Sequence, residues 1–596
     1  MRKNSQRKGS YGFHFKKWAF IALWCLPLAT FLVLFIYKIN INYPSYGHDF
    51  DYNFIRLLAG RRHFYIQGFS PFRYVPYFCG GMTIYGNPST MYYSIFQLIA
   101  LLVDPWITIN IVTSLSIIIG YFGWMLFGRD VLRLSSAWRH VLSIFILSNG
   151  IFLVQAYSGH IWSTSYPLLG ILYWLFYTPK RETARQLFLH TIFFTFAIAH
   201  IFYSAGWPLI LYIFLGFLLG TPFYFIFPKS RRASIYQLCI RSFCFGLGAI
   251  LISIGKIVSV ISFMSNISRA TSFEKMASHS NPLFYIAKSF WAIPQKKILL
   301  IEAAHGLHEK SFLMSPFTII GILLFIVLIL IMNKKAINWF RKVLIITYML
   351  LIVYVFKELT QGYGYLITPL EDLPVFRDMR KLFRALIILT ILISICSAWS
   401  FNHLFSIAKF KKYSSVAAYF VISISLLTLH IGYPKSTLSE IQTHGNLTGW
   451  REIVAKNPIP QPVEEIVAKE SENFLEGKSG LNCYEPLFKN TGNRQIYLLH
   501  PGSIFDITDG KFNMINPACF QYPKENNCKP WDRISIEDKE NLMNFASGKK
   551  VSWKISNTQF FADYISGLTF IFMSISLILF FFFRIMRQTR LSIKGL

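Results

Sequence analysis

Acid is scarce in this sequence. Of 596 residues only 28 are Asp or Glu, against 59 Lys and Arg, and charges of both signs together make up 15% of the chain. Soluble globular domains carry about a quarter of their residues as charges. That class is excluded here, the more firmly because 54% of residues are hydrophobic and 17% aromatic. Cysteine is sparse as well. Of the eight, Cys25, Cys239, Cys244 and Cys396 lie in apolar runs and read as small buried hydrophobes, whereas Cys79, Cys483, Cys519 and Cys528 fall in segments expected outside a membrane. Cys519 and Cys528 are close enough to staple one loop, which suits an oxidising compartment. Also missing are an internal repeat, a low-complexity tract beyond the basic N-terminus and a small-residue cleavage site after the first apolar run. That run is therefore expected to stay as an anchor.

What is present is a succession of long apolar runs separated by short basic turns. About 20 apolar residues cross a hydrocarbon layer, and runs of about that length occur near 18–38, 106–127, 140–157, 160–178, 187–205, 207–227, 238–264, 312–332, 343–356, 384–405, 414–432 and 561–583. The expected fold is a polytopic α-helical membrane protein of about twelve transmembrane helices. Residues 89–103 are too short to span comfortably and end at Asp104-Pro105, so they are expected to lie at the outer interface. With that choice, every short cytoplasmic turn is basic, from Arg129, Arg133 and Arg139 to Lys409, Lys411 and Lys412. A cytoplasmic basic N-terminus (1–17), a transmembrane module (18–433), an extracytoplasmic segment (434–560), a last helix (561–583) and a cytoplasmic tail (584–596) follow. The 434–560 segment carries 15 acidic and 15 basic residues, so the formal charge of +31 belongs to the membrane part. That distribution argues for orientation signals and against nucleic-acid binding. Turn signals such as Asn457-Pro458 and Asn516-Pro517, with short alternating runs, predict a small mixed α/β or β domain there.

Of the remaining 13 acids only Asp130 and Glu182 fall in cytoplasmic turns, and the other 11 are on the outer face, concentrated in the loops 39–105, 265–311 and 357–383. Chemistry on that face explains the concentration. Asp49 and Asp51 stand just beyond the first span in Tyr46-Gly-His-Asp-Phe-Asp-Tyr-Asn53. In an extended segment, residues two apart point the same way, so both carboxylates can serve one site as a base pair or, with His48, as ligands of a divalent ion such as Mg or Mn. The plainer alternative is turn capping, or pairing with Arg56, Arg61 or Arg62. Late in the chain, Arg377, Arg380, Lys381 and Arg384 recur at helical spacing on the outer side, where anchoring alone needs fewer cations. Arg suits phosphate through its planar fork of donors. Lys256 is an intramembrane cation and a candidate second phosphate contact. Glu302, His305, His308 and Glu309 match no specific zinc spacing and read as solvated loop residues. His160 and Tyr166 read as helix-packing residues.

The acidic motif after span one, the Pro76-Tyr-Phe-Cys-Gly-Gly-Met82 and Gly86-Asn-Pro88 turns, and Pro374-Val-Phe-Arg-Asp-Met-Arg380 together resemble the YfhO-like branch of the GT-C glycosyltransferase superfamily, over about residues 18–405. The resemblance implies a polyprenyl-phosphate-linked sugar as donor. It also implies an essential outer-loop acid at Asp49 with Asp51 second, and Arg377 or Arg380 at the lipid phosphate. The expectation is a glycosyltransferase of the bacterial inner membrane with its active site on the periplasmic or extracellular face, transferring to an envelope glycan or lipid acceptor. The rivals are a lipid-linked glycan polymerase or ligase, and a flippase or transporter for lipid-linked sugars. A transporter predicts charges spread along the spans and inverted-repeat symmetry. The spans here are nearly charge-free and show no repeat.

Overall fold

The computed structural model describes residues 25–43, 49–179, 182–226, 233–267, 282–291, 293, 307–332, 339–361, 364–366, 368–370, 382–439, 459–468, 473–481 and 499–593, with the side chains of a few of these excepted. Among them, eight helices are long and apolar enough to cross a membrane: Pro105–Asp130, Ala184–Tyr203, Trp207–Phe225, Ile235–Ser265, Trp339–Gln361, Phe383–Leu404, Ser414–Gly432 and Asn557–Met586. A ninth is added if Ser136–Leu147 and Gly150–Tyr157, bent by 46°, form one span. The apolar surface these helices leave uncovered is what a lipid solvent requires. Only 11% of the most apolar window of Asn557–Met586 is buried.

The other expected spans differ for local reasons. The run at 140–157 is interrupted because Ser148 ends one helix and Asn149 starts the next, its side chain accepting the Ile151 N–H at 2.9 Å. The run at 160–178 is no single α-helix. It is a 3-10 stretch, Ile161–Leu168, containing Pro167, followed by the nine-residue helix Leu169–Tyr177. Proline lacks an N–H to continue an α-helical ladder. The 312–332 run yields the 15-residue helix Phe317–Ile331 after Pro316, and the first run yields Cys25–Ile39, its earlier part lying outside the described residues. The expected interfacial helix at 89–103 shortens to Ile95–Ala100. Beyond it Asp104 caps Pro105–Asp130 by accepting the Ile107 N–H at 2.9 Å.

The loop that the sequence places first on the outer face is built on the helix Phe50–Gln67. Phe50, Phe54, Leu57 and Leu58 recur at helical spacing on it and are buried at 3% exposure or less. A two-residue antiparallel hairpin, Tyr74–Val75 with Met82–Thr83, follows. The C-terminal segment adds two three-stranded sheets. In one, Glu465–Val467 lies between Lys478–Gly480, which is parallel, and Gly502–Ser503, which is antiparallel. In the other, Lys511–Ile515 lies between Ile507–Thr508 and Arg533–Ser535. These strands share one hydrophobic core with the first outer loop. Phe54, Leu58 and Val75 pack in the same cluster as Ile466, Met514, Phe520 and Leu542. Backbone bonds cross the junction, such as Ile515 N–H to the Gly80 carbonyl at 2.8 Å.

Cys519 and Cys528 form the expected disulfide, with Cα atoms 5.6 Å apart. Cys79 is also disulfide-bonded. Of the four cysteines expected to be buried and free, all are free but only Cys396 is buried. Cys25 and Cys239 are exposed on apolar helices, where hydrocarbon can cover them as a core would.

The last helix is fastened both to this body and to the Ile235–Ser265 helix. Asp563 pairs with Arg73, Gln559 donates to the Gly255 carbonyl at 2.8 Å, and Ser566 accepts the Gly255 N–H at 2.9 Å. A Cβ at Gly255 would stand 2.6 Å from Asp563 Oδ1, so a small residue is needed where the two helices meet.

Candidate functional site

Asp49 occupies the N-cap position of Phe50–Gln67 but makes no side-chain cap to its own helix. Instead its Oδ2 lies 3.0 Å from His160 Nε2. The turn that carries His160 is held against the helix start by two hydrogen bonds to its carbonyls. The Asp49 N–H donates to the Ser158 carbonyl at 3.1 Å, and Asn53 Nδ2 donates to the Gly159 carbonyl at 2.9 Å. Gly159 makes this approach feasible. Its φ of +79° lies in the left-handed region, and a Cβ there would stand 2.6 Å from the Phe50 nitrogen.

From His160 a line of buried polar groups runs inward. Nδ1 meets Gln155 Oε1, and Gln155 Nε2 donates to Glu309 Oε2 at 3.4 Å. Glu309 receives a bidentate pair from Arg384, with Nε to Oε2 at 2.8 Å, and the guanidinium lies 5.3 Å from the Trp162 ring centroid. Gln155, Glu309 and His160 are exposed by 0%, 1% and 8%. The order of the groups dictates their hydrogens. An ionised Glu309 only accepts, so the Gln155 amide must turn its NH₂ toward Glu309 and its carbonyl toward His160. That carbonyl calls for a proton on Nδ1 and leaves Nε2 as an acceptor facing Asp49 Oδ2, so a proton taken up by the carboxylate can be shared with the imidazole. The result is an acid–imidazole pair able to move a proton, backed by a neutralised carboxylate–guanidinium pair.

These contacts amend several expectations. Asp49 heads this polar line, and its partner there is His160. Asp51 falls on a helical backbone, so the period-two geometry that would aim both carboxylates together is absent; its side chain, like His48, lies outside the described residues. Arg377, Arg380 and Lys381 also lie outside them. Arg384 is described, on the 3-10 turn Leu382–Ala385, and its fork is engaged by Glu309, so it is not an open phosphate ligand. Lys256 is 2% exposed and donates to the Asn87 carbonyl at 2.7 Å and to Thr90 Oγ1 at 2.8 Å, beside the Tyr85 ring. Its described contacts hold the outer turn. Glu309, expected in solvent, is buried because Arg384 compensates its charge. Among the described residues no three His, Cys, Asp or Glu side chains gather as a metal site.

Sequence reasoning named His160 as a packing residue and Glu309 as a solvated one, and missed the polar line that joins them. The only local signal was Gly159 before the histidine, at the break of an apolar run, and an acid between apolar stretches at 309.

No family model matches the chain, and no curated protein does. Among solved structures it is similar to the cryo-EM structure of the arabinofuranosyltransferase AftD from mycobacteria, with a TM-score of 0.41 and 12% identity over 74% of this chain and 30% of that one. A variant of the same protein gives a TM-score of 0.38 and 11% identity over 74% and 31%. The chain thus spans about 30% of the length of those structures. The functional reading therefore stands on the side chains described above.

Proposed function

We propose that this chain is a membrane glycosyltransferase of the GT-C kind, with the YfhO-like motifs as its sequence basis. It moves one sugar from a polyprenyl phosphate to an envelope glycan or lipid acceptor on the outer face of a bacterial inner membrane. The observation that carries the reading is the 3.0 Å contact of Asp49 with His160 at the head of a buried polar line. In the proposed step, the acceptor hydroxyl gives its proton to Asp49, which shares it with His160. The acceptor oxygen bonds to the anomeric carbon as the bond from that carbon to the lipid phosphate oxygen breaks, and the phosphate leaves with the electron pair. Arg377 and Arg380 are proposed to stabilise the leaving phosphate. Arg384 is assigned a different task, that of neutralising Glu309 and so fixing Gln155 and His160. Asp51 and a divalent ion enter no step of this scheme.

The test is sugar transfer by Asp49→Asn in membranes, using a labelled polyprenyl-phosphate sugar. Loss of a general base costs about 10² to 10⁴ in rate, so transfer is expected to fall by that factor with the protein still inserted. Wild-type turnover would remove Asp49 from the mechanism.

A further inference from the structure

We propose that the cavity between the C-terminal end of the Phe50–Gln67 helix and the 545–555 stretch binds an anionic saccharide, a sugar bearing a phosphate or a carboxylate. Its volume is 620 Å³, within the range of about 300 to 1,000 Å³ that small-molecule sites occupy. Arg62, Arg73, Lys549 and Lys550 line it, and among its described lining residues none is Asp or Glu. Two acids stand just behind the wall: Asp563 is paired with Arg73 Nη2 and Gln559, and Asp538 accepts from Trp553 Nε1 at 2.7 Å, so the uncompensated positive charge is that of Arg62, Lys549 and Lys550. Both Nη atoms of Arg62 donate to backbone carbonyls, those of Pro460 and Ser547, which fix its guanidinium in the cavity wall. Phosphate or carboxylate oxygens supply the counter-charge that Arg62, Lys549 and Lys550 lack among the described residues.

The apolar part of the wall points to a sugar rather than a bare anion. Trp553 is half-buried and stands edge to face with the buried Tyr74, centroids 5.3 Å apart, so that its ring offers aromatic surface beside the cations on which the C–H face of a pyranose can pack. The cavity is also distinct from the Asp49 site. Thirteen residues separate Asp49 from Arg62, about 20 Å along the helix at 1.5 Å per residue. One rigid helix therefore carries a proton-transfer pair at its start and an anion-binding wall at its end. That this cavity holds part of the acceptor rests on the proposed glycosyl transfer; the binding itself does not.

Binding is read without turnover, so its failure and the failure of the enzymatic reading are told apart. The full chain in phosphatidylcholine nanodiscs is titrated with glucose 1-phosphate and with methyl glucoside, and saturation-transfer NMR follows the sugar protons. Glucose 1-phosphate is expected to bind and methyl glucoside to bind at least ten-fold more weakly. The Lys549→Gln/Lys550→Gln variant, altered only at exposed side chains, is expected to lose at least ten-fold in affinity for glucose 1-phosphate while keeping its thermal midpoint. Equal binding of the two sugars, or unchanged binding by the variant, overturns the proposal. So does loss of the sugar signal when phosphatidylglycerol is added to the discs, which would assign the cavity to a lipid headgroup.

Discussion

Asp49 was legible from scarcity, because one of few acids beside a membrane needs a reason to be there. Its partner was not, because His160 lies 111 positions later and nothing in the sequence signals the contact. Glu309 was misread as solvated for a related cause. A buried carboxylate is recognisable only with its counter-charge, and Arg384 comes 75 residues further on. That pairing yields a residue-scale expectation. Glu309→Gln leaves Arg384 buried without a carboxylate, and breaking such a pair by removing one partner costs about 3 to 5 kcal/mol. A lowered thermal midpoint is expected, with much of it recovered when Arg384→Met is added, because the stranded charge is then gone. A double variant as unstable as the sum of the two single ones would show that the pair does not act as a unit.

At the scale of elements, the error that mattered was helix against strand at the start of the first outer loop. The spacing of Asp49 and Asp51 suggested an extended segment around them, yet Phe50, Phe54, Leu57 and Leu58 after an Asp carry a helix signature. Reading them would have separated Asp49 from Asp51. Most long apolar helices were legible because span length is set by the membrane. The break at Ser148-Asn149 and the 3-10 stretch around Pro167 were not, since hydropathy averages over both. These irregular pieces place the turn at 158–160 where it meets the Phe50–Gln67 helix. Gly159→Ala forces a side chain into a left-handed backbone, at about 1 to 2 kcal/mol, and pushes the turn off Phe50. A misplacement of about 1 Å costs on the order of 10² in rate. Transfer is therefore expected to fall about a hundred-fold with a small loss in thermal midpoint, whereas transfer at the wild-type rate would show that the close approach of these two elements is not needed.

For the molecule as a whole, the C-terminal segment was expected as a tethered domain of its own. It instead shares a core with the first outer loop, and the last helix is tied to that loop through Asp563 and Arg73. The sequence hides this because strand segments as short as two or three residues carry little periodicity, and the residues that cover each other are some 400 positions apart. The consequence is that Asp49 is positioned by a body assembled from both ends of the chain, and meets there a histidine from the middle of the membrane module. The central claim is that these two side chains act on one proton. It is tested most directly by a double-mutant cycle on sugar transfer with Asp49→Asn, His160→Phe and the double variant in reconstituted membranes. The account predicts strong non-additivity, with the double variant no slower than Asp49→Asn alone; rate losses that multiply, as for independent sites, would contradict it.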